Sequence, residues 1–312
     1  MLRFEIGTTF RRGSRWASGF VLLSVATLFG PSASATLIID GPTTNWTPVL
    51  YEATPDPFLD QQTGDLEGDL VGDENHPSFY LQFDDAGTES LTDGTIAFRI
   101  RVAEQENPDG FSGALFIGID ADLDGSLDLF IGVDNSGSGD TIAIWNAGSD
   151  LNVSPSTTSI ESPPVVTYAE SDVNYDFSPV TLALDPLALT TNVDGGTTQG
   201  NNDPTDYFLS FSLPMADIVA QLDFLGLEFD QSTGITLVMA TATQDNSLNQ
   251  DLNGVQGGVK SPELWSELGA QSEILSFDGS AQVPEPASAL LLLLGGAMLL
   301  RSARRPTRRP LP

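Results

Sequence analysis

The 312-residue chain has no cysteine, one histidine and only 12 lysines and arginines. Each shortage excludes something. Without thiols there can be no disulfide, no thiolate metal site and no cysteine nucleophile. Stability must therefore come from a packed core or from bound metal. The single histidine, His76, stands before Pro77 in a turn context with no nucleophile motif beside it, which argues against acid–base catalysis. A nucleophile elbow and a phosphate-binding glycine loop are also missing, so the chain reads as a non-enzyme. Paired carboxylates of the glycosidase kind are expected by chance in so acidic a chain and carry no weight.

The few cations are displaced to the ends. Arg3, Arg11, Arg12 and Arg15 lie in the first 35 residues, and Arg301, Arg304, Arg305, Arg308 and Arg309 in the last 12. Between them only Arg99, Arg101 and Lys260 face 41 carboxylates over residues 36–283, a net charge of −38. Nucleic acid is excluded as a partner, because phosphate binding needs a basic footprint. Self-repulsion on this scale opposes a compact state. Bound divalent cations would relieve it; equally, the acidity suits a soluble surface in salty water, and composition leaves both readings open.

What is present begins with the two ends. Arg11, Arg12 and Arg15 precede an apolar run over residues 19–29, and Ala33 and Ala35 follow at the −3 and −1 positions. This is the order of a secretory signal peptide, residues 1–35, cut by signal peptidase after Ala35. At the other end, residues 281–312 carry Val283, Pro284, Glu285 and Pro286, an apolar span at 287–300 and a basic end at 301–312. Fourteen residues at about 1.5 Å each reach roughly 21 Å, short of a hydrocarbon core of ~30 Å. Snorkelling arginines and local thinning allow a membrane helix to insert there transiently, with the basic end cytoplasmic.

The tail resembles the PEP-CTERM sorting signal of Gram-negative bacteria, with the Pro284-Glu285-Pro286 motif, apolar span and arginine cluster in the same order. The resemblance implies recognition by an exosortase, cleavage near the motif after passage through the inner membrane, and delivery to the cell surface or extracellular matrix. It also implies an association with exopolysaccharide and biofilm production.

The most informative internal stretch is residues 114–133, where two β-rich apolar runs flank Asp120, Asp122, Asp124, Gly125, Ser126 and Asp128. Carboxylates two apart in a tight turn can aim their oxygens at one point, which suits Ca²⁺ with its six to eight oxygen ligands. The expected ligands are Asp120, Asp122 and Asp124, a backbone carbonyl near Ser126, and Asp128 directly or through water. The first nine places match a helix-loop-helix calcium loop, but the closing glutamate position is Ile131 and strands replace the helices. The loop is similar to the aspartate-rich hairpin loops of FG-GAP-type repeats, although only one copy is present, which disfavours a propeller.

Elsewhere, period-2 apolar patterning places strands near 36–41, 79–83, 95–102, 141–145, 180–184, 207–213, 234–242 and 274–277. In the 95–102 strand, Ile96, Phe98, Ile100 and Val102 share one face; Arg99 and Arg101 share the other, where ion pairs pinning loops to the sheet are expected. Pro214 opens a helix with Met215, Ile218, Val219 and Leu222 on one face, and residues 261–268 read as one or two helical turns. The acidic 56–73 segment reads as a solvated loop in preference to a source of ligands for an ion. The amide-rich 243–254 segment suits turn chemistry, sugar hydroxyls or calcium.

Residues 36–280 are thus expected to form an all-β, jelly-roll-like β-sandwich with one short inserted helix. Their order resembles the sandwiches of family-nine-like carbohydrate-binding modules, through Ile39, Asp40 and Gly41 with Trp46, the strand ending in the acidic loop, and the step from Leu213 into Pro214 and Ile218. That implies a polysaccharide ligand, yet Trp46, Trp145 and Trp265 each fit a core as well as a sugar platform.

Overall fold

A computed structural model describes residues 37–277 except 52–55, 58, 64–65, 74, 87, 89, 106–109, 138, 187–192, 194–204, 228 and 230–233. The signal peptide with Ala33 and Ala35, the 283–286 motif, the 287–300 span and the basic end lie outside the described residues. No helix among the described residues is long and apolar enough to cross a membrane.

Eleven strands form there: β1 (Thr47–Pro48), β2 (Phe79–Asp84), β3 (Thr95–Val102), β4 (Ala114–Asp120), β5 (Leu129–Asp134), β6 (Thr141–Asn146), β7 (Val166–Ala169), β8 (Tyr175–Pro179), β9 (Tyr207–Pro214), β10 (Thr236–Ala242) and β11 (Asp251–Leu252). Helix α1 (Met215–Leu225) follows β9, and α2 (Trp265–Leu268) lies near the end. Two antiparallel sheets result, ordered β1-β2-β3-β9-β8 and β11-β10-β4-β5-β6-β7. The fold is an all-β sandwich.

Side-chain alternation builds the shared core. Phe79, Phe98 and Phe211 from the first sheet meet Ile117, Ile131 and Met239 from the second. Met215, Ile218, Val219 and Leu222 of α1 join the same core, as their spacing predicts. The helix stops at Gly226, whose left-handed φ of 83° supplies the C-terminal turn. Unlike a simple sandwich, both sheets are also covered on their outer faces. Phe116, Phe130 and Trp145 pack under Leu248, Val259 and Trp265. On the other side, Tyr80, Ala97 and Phe208 pack under Ile39, Trp46 and Val180. Strands β3, β4, β9 and β10 are therefore buried on both faces along most of their length.

The two arginines of β3 hold one of these covers in place. Both point away from the shared core, as the alternation predicts, and both are fully buried. Arg101 pairs with Asp185 and, at 3.0 Å, with Asp206. Arg99 donates to Ser210 Oγ at 2.9 Å and to the carbonyls of Ile39 and Gly41, with its guanidinium 4.4 Å from the centre of the Trp46 ring. Arg101 is the expected ion pair; Arg99 instead uses carbonyls and an aromatic face.

This pinning explains two departures from the sequence reading. The segment at 37–41 is a turn, because Arg99 takes the carbonyls that a strand would have used in a ladder. Residues 180–184 are also a turn, in which Leu184 and Asp185 donate to Thr181 O, and this carries Asp185 to Arg101. The strand lies just before it, as β8. A third departure is the 274–277 segment, which makes only a bridge between Ile235 and Leu275.

Two outcomes follow. Arg101→Ala leaves Asp185 and Asp206 buried without their cation, and should cost about 3–5 kcal/mol in urea unfolding; Arg101→Met combined with Asp185→Asn and Asp206→Asn should recover most of it. Glu170, just after β7, is pushed up from 4.5 to about 7, chiefly by burial and further by Asp140, against a hydrogen bond with Asn135. A raised carboxyl favours the folded state while protonated, and that contribution is lost as pH rises through about 7. Glu170→Gln should therefore gain thermal stability relative to wild type at pH 8 but not at pH 4.

Candidate metal centre

The β4–β5 hairpin delivers the acidic loop at one end of the six-stranded sheet. Ile119 pairs with Leu129, so the ladder closes immediately before the loop. Asp120 is the last residue of β4 and is held between strands, since it also pairs with Thr236 of β10. The loop is then folded by its own carboxylates. Asp120 Oδ2 accepts from Gly125 N at 3.0 Å, Asp122 Oδ1 from Asp124 N at 3.2 Å, and Asp124 Oδ1 from Ser126 N at 2.8 Å. Two residues adopt positive φ to allow this, Leu123 at 62° and Gly125 at 88°. Behind the loop, Leu127 is buried in the outer core, and Leu127 N and Trp265 Nε1 both donate to Asn152 O.

Asp120, Asp122 and Asp124 each present a carboxylate oxygen such that all three atoms lie within 4.8 Å of one another. Oxygens sharing a Ca²⁺ ion at 2.3–2.6 Å can be separated by at most about 4.6–5.2 Å, so the spread fits. Asp120 is 1% exposed, yet its Oδ1 has no hydrogen-bond partner. Its other oxygen is tied by Gly125 N and by Gln271 Nε2 at 3.0 Å. Burial raises the Asp120 pKa, and the charges of Asp124 and Asp122 add to the rise. An electropositive occupant would reverse that sign.

The other two positions, Asp128 and Ser126, also make hydrogen bonds that shape the loop. Asp128 Oδ2 accepts from Ala121 N at 2.8 Å, bracing the loop from behind. Burial pushes Asp128 up to about 6, and the charges of Asp122, Asp120 and Asp124 contribute. The Ser126 hydroxyl donates to Leu151 O at 3.0 Å; the ligand expected there is a backbone carbonyl, not this side chain. Beside the loop a cleft of about 540 Å³ runs between Asp120, Asp124, Thr236, Gln271 and Glu273. Among the described residues its lining includes no aromatic side chain. Trp46, Trp145 and Trp265 are each 1% exposed, so all three are core residues.

Comparison with family models, with curated proteins and with solved structures found no match.

Tertiary structure also brings together a group that the sequence reading did not. Asp56, Asp60 and Asp251, nearly 200 positions apart, place carboxylate oxygens within 4.8 Å of one another. The segment read as a solvated acidic loop is in large part interior, with Asp56, Glu67 and Asp69 buried. A signal for this lay in the sequence: Leu66, Leu70 and Val71 are apolar, which a freely solvated loop does not require, and Leu70 and Val71 are fully covered.

The conformational demand at Gly125 is separable from crowding, because a Cβ there would meet nothing within 4 Å. Gly125→Ala should cost about 1–2 kcal/mol through its left-handed backbone alone. Gly125→Asn should cost less in the same chemical-denaturation measurement.

Proposed function

We propose that this chain is an exported, non-enzymatic, calcium-stabilised β-sandwich of jelly-roll type. It is sorted by an exosortase to the cell surface or extracellular matrix, where it serves as a structural component associated with exopolysaccharide. The observation that carries the calcium part is the convergence of Asp120, Asp122 and Asp124 around a buried Asp120 oxygen with no donor. All the nearby acids are oxygen donors, the ligand type of a hard cation, and the hairpin setting leaves one side open to an ion from solution. The sorting part rests on Pro284-Glu285-Pro286, the apolar span and the arginine cluster in sequence.

A second reading, binding of the exported polysaccharide, is favoured by the cleft beside this loop. Its polar lining of Thr236, Gln271 and Glu273 suits hydroxyl groups. With every tryptophan of residues 36–283 buried, such a ligand would be held by polar groups and the ion rather than by indole stacking.

The test is a thermal melt of the chelator-stripped chain with and without divalent cations at fixed ionic strength. For a Kd of about 0.1 mM and about 1 mM Ca²⁺, linkage gives roughly 1.4 kcal/mol of stabilisation from this site. Mg²⁺, which demands tighter octahedral geometry, should give less. Asp122→Ala should lose this increment, while its calcium-free stability should fall by no more than about 1 kcal/mol, for the one exposed hydrogen bond with Asp124 N. Equal shifts with both ions, in wild type and variant alike, would reduce the loop to an acidic turn.

A further inference from the structure

We propose a second divalent-cation site, buried between residues 56–69 and the edge strand β11, with Asp56, Asp60 and Asp251 as its convergent carboxylates and Asp69 beside them. The group is more than a collection of acids. Three of its four members use one carboxylate oxygen to accept a backbone amide and leave the other with nothing. Asp56 Oδ1 accepts from Gly254 N, Asp60 Oδ2 from Gly257 N at 2.8 Å, and Asp69 Oδ2 from Leu59 N at 3.0 Å. Asp56 Oδ2, Asp60 Oδ1 and Asp69 Oδ1 have no hydrogen-bond partner. Asp251 anchors the set from the sheet, accepting from Leu70 N at 2.7 Å and Leu252 N at 2.8 Å.

Burial makes these free oxygens costly. Asp69 and Asp251 are wholly inaccessible and Asp56 is 4% exposed. Buried polar atoms are normally satisfied, and buried charges are paired or bind metal. Among the described residues no cation reaches the cluster: Arg99 and Arg101 are engaged under the other sheet, and Lys260 is exposed. The geometry specifies the missing partner. Three carboxylates already oriented by backbone amides, with one oxygen each left over, and Asp251 converging with two of them form an all-oxygen set for a hard divalent ion. The number of carboxylates and their irregular arrangement suit Ca²⁺ better than Mg²⁺. Asp60, half-exposed, marks the side from which the ion enters.

An ion here would join parts of the chain about 190 residues apart in sequence. It would hold the 56–70 segment over β11, the edge of the six-stranded sheet. In a chain with no cysteine, this is a cross-link of the kind a disulfide would otherwise supply. The site is separate from the hairpin loop and does not depend on it.

The experiment is calorimetric titration of the purified, chelator-stripped full-length chain with calcium chloride, in wild type, Asp122→Ala, Asp60→Asn, Asp251→Asn and the Asp60→Asn/Asp122→Ala double variant. Wild type should take up two ions, each of Asp122→Ala and Asp251→Asn one, and the double variant none or one bound at least tenfold more weakly. Asp60→Asn, at a half-exposed position, keeps the test open if Asp251→Asn fails to fold. In chelator, Asp60→Asn should melt no lower than wild type, because it removes repulsion; in calcium it should melt lower. Calcium uptake in Asp122→Ala that Asp60→Asn leaves unchanged in number and affinity would overturn the buried site, as would a wild type that binds one ion lost with Asp122→Ala. Two ions in Asp122→Ala and wild type alike would instead count against the hairpin loop.

Discussion

Residues 36–283 contain three cations, and two of them are buried beneath one sheet, so nearly all their carboxylates must find some other partner. Backbone amides, side-chain amides and hydroxyls, protons and ions from solution must serve. The architecture follows from how that shortage is met. Arg101 is spent on two aspartates that close the outer cover of the first sheet, and Arg99 on carbonyls of the same cover. Elsewhere the acids turn to the backbone: Asp122, Asp124 and Asp128 fold the β4–β5 loop by accepting its amides, and Asp56, Asp60 and Asp69 do the same across a larger span. Each such bond satisfies one oxygen and leaves a second lone pair-bearing atom. Where the second atom is also buried, an acceptor without a donor remains, and that is what a hard cation would complete.

The covered sheets follow from the same shortage. A sandwich can leave its outer faces to water, with polar residues there. In this chain the central strands are apolar on both faces, and irregular segments lie over them. Such segments carry many backbone groups that strands would have paired. Aspartates and arginines meet those groups locally, so the covers can be built without further strands. The acidity of the chain is thus partly interior work, not only a soluble surface.

Several features were legible in order along the chain. Alternation marked β3 and the sides of its arginines; Pro214 and the spacing from Met215 to Leu222 marked α1; the apolar runs around Asp120 marked a hairpin. The short-range pattern Asp120, Asp122, Asp124 could be read as a cation loop because its members are neighbours in sequence. By spacing Asp128 is expected to ligate directly or through water; one of its oxygens accepts from Ala121 N, a matter of loop curvature that spacing does not encode. The turns at 37–41 and 180–184 were misread as strands because their apolar residues do face a core, which is all that alternation reports.

By itself the sequence determined the class of fold, the hairpin that carries the acidic loop and the absence of any thiol, because each is a property of composition or of neighbouring residues. Tertiary structure alone decided that Trp46, Trp145 and Trp265 are core, and that Asp56 and Asp60 meet Asp251 at a sheet edge. Burial and long-range convergence depend on which segments the two sheets bring together. In so acidic a chain, aspartates that will be buried are indistinguishable by composition from those that will face water.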